Sequence, residues 1–71
     1  MRELKIGGKY RHYKEKDYVV LGVAKHSETL EKLVVYQAQY DDKPIWVRPY
    51  EMFLGEVEID GKMVTRFREI D

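Results

Sequence analysis

A small all-β domain is the fold class this sequence predicts, and three features carry the prediction. Short runs rich in Val, Ile, Tyr and Thr recur along the chain, the residue types that fit a pleated, half-buried surface. Turn chemistry separates them, most clearly at Asp41-Asp42-Lys43-Pro44 and Asp60-Gly61. The chain has only 71 residues and no Cys, so it forms one domain, residues 1–71, with no disulfide or thiolate-zinc staple. A chain of this size buries only about 60% of its unfolded surface, which means one small core and many half-wet side chains.

The elements follow in order. Gly7-Gly8 opens the first strand, residues 9–14, in which Tyr10 and His12 share one face and Arg11 and Tyr13 the other. Residues 14–17 are a charged turn. Residues 18–24 are the clearest strand, apolar on both parities, with Gly22 as a natural bend or bulge. Residues 26–32 read as a hairpin loop, with a one-turn helix capped by Ser27 as the alternative. In the next strand, residues 33–40, Val34, Tyr36, Ala38 and Tyr40 alternate with polar or smaller neighbours and are expected inward.

After the Asp41–Pro44 turn comes a strand at residues 45–48. Pro49 removes an amide donor and fixes φ. Residues 50–54 then read as a helical turn that Gly55 ends. Residues 56–59 alternate, with Val57 and Ile59 expected inward, and Asp60-Gly61 is a two-residue hairpin signal. Residues 62–68 return with Met63, Thr65 and Phe67 on one face. The sum is five to six short strands with one helical turn before the last hairpin. Closing or nearly closing the sheet hides its edges, so a small SH3-like barrel is the economical architecture. An open meander or an OB-type barrel is the alternative.

Several stretches taken together resemble one family. They are Gly8-Lys9-Tyr10-Arg11-His12-Tyr13-Lys14, Val20-Leu21-Gly22-Val23-Ala24-Lys25-His26-Ser27-Glu28-Thr29, Leu33-Val34-Val35-Tyr36, Trp46-Val47-Arg48-Pro49 and Glu51-Met52-Phe53. In this order they resemble the small bacterial domain-of-unknown-function family numbered 1653, over about residues 7–67. The resemblance implies an SH3-like barrel. It implies no activity and assigns no functional residue.

Thirteen basic and thirteen acidic residues cancel, unlike the basic excess of a dedicated nucleic-acid binder. The distribution is uneven. Residues 1–16 carry six Lys/Arg against Glu3 and Glu15, a net of +4, so residues 17–71 net −4. This is read as a solvated basic strand paired with acidic neighbours, with a local phosphate or carboxylate site as the sharper alternative. No apolar run has the length of a signal peptide or a membrane span, so a cytoplasmic location without membrane contact is expected.

The stretch richest in recognition chemistry is residues 45–53. Trp46, the only Trp, and Arg48 lie two apart on a strand and share a face. If that face is inward, Arg48 needs a partner, and Glu51 or Glu28 is the expected acid. If it is outward, Trp46, Arg48 and Tyr50 form an exposed aromatic and cationic ledge. A rim position, with Trp46 half buried and Arg48 at the mouth, lies between the two. The ligand-binding candidates are His12, Tyr13, His26, Glu28, Trp46, Arg48 and Tyr50, acting as a non-catalytic module for a peptide, a nucleotide or a short nucleic acid. The alternative is a homodimer or assembly domain built on Val19, Leu21, Val23, Leu33 and Val35. A minimal enzyme using His12, His26 and Glu28 ranks last, because adjacency in sequence supplies neither a nucleophile–base contact nor an orienting group. No catalytic residue, cofactor or metal ligand is assigned. Two His without Cys match no metal-binding spacing.

Overall fold

The computed structural model describes residues 4–70 as seven strands and one short helix. In chain order these are β1 (Lys9–His12), β2 (Asp17–Lys25), β3 (Lys32–Ala38), β4 (Ile45–Pro49), α1 (Tyr50–Phe53), β5 (Glu56–Ile59), β6 (Lys62–Thr65) and β7 (Phe67–Glu69). The chain is all-β, as the alternating runs predict. Five strands form an antiparallel sheet in the order β4-β3-β2-β1-β7, and β5 and β6 form a separate two-stranded sheet.

Two details differ from the sequence reading. The main sheet is not a closed barrel: β4 and β7 stand at its two edges without pairing. Ring packing links the elements around those edges instead. Phe53 of α1, which follows β4 directly, stacks on Phe67 of β7 with centroids 4.1 Å apart and planes 9° from parallel. There are also seven strands rather than five or six, because residues 62–69 divide at Arg66. β6 pairs with β5, whereas β7 pairs with β1. At the crossover the Arg66 amide donates to the Gly55 carbonyl (3.1 Å), and its carbonyl accepts from the Tyr13 amide (2.9 Å). The crossover separates Met63, 62% exposed, from Phe67, which is buried. Val57 and Ile59 are not enclosed either, since their hairpin is not part of the main sheet.

The turns follow their chemistry. Asp60 and Gly61 both take positive φ (51° and 81°), as a type I′ hairpin requires. The Asp41–Pro44 turn closes by a bond from the Lys43 amide to the Tyr40 carbonyl (3.0 Å). In β2 the ladder slips between Val20 and Gly22, the bulge that Gly22 marks.

Register sets the inner face. Val20 lies opposite Tyr36, Tyr18 opposite both Ala38 and Tyr10, and Tyr36 opposite Trp46. The core consists of Tyr10, Tyr18, Val20, Val34, Tyr36, Ala38, Phe53 and Phe67. Five of these eight are aromatic, which is how a small chain without Cys gathers enough apolar area: each ring brings a large buried surface for few frozen torsions.

Truncating this core is therefore expected to be severe. Phe53→Ala should cost about 3–5 kcal/mol, a large share of a domain's typical 5–15 kcal/mol. Trp46 is 52% exposed, and Trp46→Ala should cost only about 1 kcal/mol or less. Urea unfolding of the two variants checks this. If Trp46→Ala proved the more damaging, Trp46 would be the anchor instead.

Candidate functional site

β4 is an edge strand whose inner face carries Trp46 and Arg48. They stand opposite Tyr36 and Val34 of β3, so both point toward the core side. β4 lies at the margin of that core, however, and neither is enclosed. Trp46 is half exposed and Arg48 is partly buried. This is the rim placement between anchor and ledge.

Around them lies a cleft of about 280 Å³, lined by Tyr18, Tyr36, Tyr40, Trp46, Val47 and Arg48. Arg48 has no carboxylate partner among the described residues. The expected acids are not used: Arg48 Nε donates to the Tyr36 hydroxyl at 3.3 Å, and its guanidinium lies 5.9 Å from the Phe67 ring centroid. Tyr36 is two positions along the register from the residue opposite Arg48, within the diagonal reach of a long side chain. The Tyr18 and Tyr40 hydroxyls bond to each other. Burial first, and then the bond to Tyr40, raises the Tyr18 pKa and keeps this phenol protonated. Lys16 Nζ sits 5.0 Å from the Tyr40 ring centroid.

The other candidates separate from this cleft. The His12 and Tyr13 rings lie 4.3 Å apart, tilted 33° to each other, and line a second cavity of about 270 Å³ with Arg11, Glu15, Val64, Thr65 and Arg68. There the cations are compensated: Arg11 Nε bonds to Asp17 at 2.7 Å, and Arg68 lies 4.0 Å from Glu15. His12 borders both regions, with its ring 4.9 Å from Phe67 and 6.4 Å from Tyr18. Tyr50 lines a third cavity, of about 530 Å³, with Glu31, Lys32 and Glu51, where Lys32 Nζ lies 5.4 Å from its ring centroid.

His26 and Glu28 lie in the exposed turn between β2 and β3. His26 Nδ1 accepts from the amides of Glu28 and Thr29 (3.0 and 3.3 Å), a local turn-capping role. His12 and His26 are at opposite ends of β2, roughly 25 Å apart at a strand's rise per residue. The trio His12, His26 and Glu28 is not assembled. Among the described residues, no group of three or more His, Asp or Glu is arranged to hold a metal ion, and no helix is long and apolar enough to cross a membrane.

Sequence reasoning missed Tyr18, Tyr36 and Tyr40. Their alternation marked Tyr36 and Tyr40 as core, which is correct for the rings and silent about the hydroxyls. The signal was present in residue type, since a buried Tyr needs a partner for its O–H.

Comparison with known proteins places this geometry in a family. The family described as a protein of unknown function (DUF1653) matches residues 8–69. The chain belongs to the DUF1653 family. A crystal structure of a DUF1653 protein from Bordetella bronchiseptica is 32% identical, superposes with a TM-score of 0.83, and covers 99% of this chain and 91% of that one. No curated protein matches.

In this DUF1653 chain His12 reports the electrostatics between the two cavities. Burial first, and then the positive charges of Arg48, Arg66 and Lys14, hold its imidazole below the ordinary 6.5. Within the pH window between 6.5 and this lower folded value the unfolded chain binds more protons. The His12 contribution to stability is therefore complete above 6.5 and is lost as pH falls through the folded value. An NMR titration of the imidazole should show His12 titrating below 6.5. Arg48→Gln should return it only part of the way, because burial remains. Titration at or above 6.5 would refute the positive environment.

Proposed function

We propose that the DUF1653 chain is a non-catalytic binding module whose ligand docks in the Trp46–Arg48 cleft. One observation carries the reading: a half-exposed indole and a guanidinium without a carboxylate partner share the mouth of a cleft lined by three phenols. Exposed Trp and Arg side by side dominate the energetics of recognition surfaces. The three ligand classes this chemistry serves are an extended peptide, a nucleotide and a short nucleic acid. The compensated charges around Tyr13, and the carboxylates of Glu31 and Glu51 around Tyr50, make those regions less suited to an anionic ligand.

A second reading rests on a different face. Ile45 and Val47, 58% and 57% exposed, alternate with Trp46 on β4 and so face away from the core, near the exposed Leu21 at the bulge. Such a stripe suits a homodimer contact. Sedimentation as a monomer at high protein concentration would dismiss it.

For the main reading, NMR titration of the labelled chain with pools of peptides, nucleotides and oligonucleotides should move Trp46, Arg48 and Tyr40 together. Trp46→Ala and Arg48→Gln should each weaken binding by about tenfold or more, the effect of losing a stacking platform or a charge-assisted bond. Shifts elsewhere, or none with any pool, would overturn it.

A further inference from the structure

The hydrogen-bonding protons of the cleft can be counted, and the count selects a ligand. The Tyr36 hydroxyl oxygen accepts from Arg48 Nε, so its own proton is left to donate, and no acceptor for it stands among the described residues. In the Tyr18–Tyr40 pair one hydroxyl donates to the other, which leaves the second proton free. The two Nη atoms of Arg48 bring four more N–H donors, and Lys16 lies at the Tyr40 margin. No carboxylate lines the cleft. Arg48 also acts as a positive charge on His12, whose ring centroid lies 6.4 Å from that of Tyr18.

The lining is rich in donors: the phenol oxygens can still accept, but no carboxylate competes for those donors. It suits a phosphate, whose oxygens only accept when ionised and which pairs with a guanidinium fork. Beside these donors, two residues along β4, the Trp46 ring offers a stacking surface for any planar heterocycle. Two strand residues span about 7 Å, a distance comparable to that between the ring and the phosphate of one nucleotide.

We infer that the cleft takes a phosphomonoester carried by a planar ring, the chemistry of a nucleoside 5′-monophosphate, free or at the end of a single strand. Trp46 stacks on the base. Arg48, the Tyr36 hydroxyl and the spare proton of the Tyr18–Tyr40 pair hold the phosphate. This inference rests on the reading of the cleft as a ligand site and narrows it to one class.

The single Trp makes the test direct, because its fluorescence reports the stacking position alone. Wild-type protein is titrated with AMP, adenosine, inorganic phosphate, short oligothymidylates with and without a 5′-phosphate, and capped peptides. AMP should quench Trp46 and bind about tenfold or more tighter than adenosine, the effect of charge-assisted bonds to the phosphate. Arg48→Gln and Tyr36→Phe should erase that difference while leaving adenosine binding in place. The Tyr36 variant keeps its ring in the core, and urea unfolding confirms that both variants fold. A gain from the 5′-phosphate on the oligothymidylate equal to that for AMP identifies a strand end as the source. A gain for AMP alone identifies the free nucleotide. Equal binding of AMP and adenosine, or inorganic phosphate binding as tightly as AMP, overturns the inference. Peptide binding in the cleft without nucleotide binding overturns it and leaves the module reading standing. No binding by any probe overturns both.

Discussion

The stacked contact between Phe53 and Phe67 is the constraint on which the rest of this structure depends. A sheet with two unpaired edges and no covalent staple must be held by what fills its concave side. Phe67 packs against Phe53, Tyr36, Tyr18 and His12, with ring centroids between 4.1 and 5.5 Å. One ring therefore joins β7, α1, β3, β2 and the end of β1. Pro49 ends β4 and starts the helical turn that delivers Phe53 to that contact. Edge-to-face packing governs most of the remaining core rings, including Tyr10 on Phe53 and Tyr18 on Tyr36. Such geometry aligns positive ring edges with negative faces, and it makes the core directional rather than merely apolar.

The candidate site is the polar margin of the same cluster. The rings of Tyr18 and Tyr36 are core while their hydroxyls line the cleft, and the Arg48 guanidinium rests near Phe67. Structure and recognition thus share side chains here. The sharing has a physical logic: a buried phenol needs a hydrogen-bond partner, and a boundary between core and solvent is where that need and a ligand's need can be met together. It also ties part of the cleft to the core, since the Tyr18 and Tyr36 rings cannot move without disturbing the packing.

Much of the fold was legible in the sequence. The strands at residues 18–24, 33–40 and 45–48, the Asp60-Gly61 turn and the helical turn after Pro49 follow from alternation and turn chemistry, which are local. The missing barrel closure and the split at Arg66 were not legible. Each depends on which strand Phe67 joins, a long-range choice that parity over residues 62–68 does not encode. At the site, parity alone tied Trp46 to Arg48. The partner of Arg48 was sought among acids near in sequence or loop, yet it is the Tyr36 hydroxyl across the β3–β4 register. The candidates at His12, Tyr13, His26, Glu28 and Tyr50 were chosen by residue type, and residue type cannot say that they fall in separate regions.

The bulge at Val20 and Gly22 divides the β2–β3 hairpin into two parts with different obligations. On the near side, Tyr18, Val20, Tyr36 and Ala38 are committed to the core. On the far side, Val23 lies opposite Val34 yet is 44% exposed, and the turn beyond it is held by its own hydrogen bonds, such as that from the His26 amide to the Glu31 carbonyl. The tip beyond β2 thus keeps its shape by contacts of its own, whereas Val34, opposite Val23, still answers to the core and to Arg48 of β4.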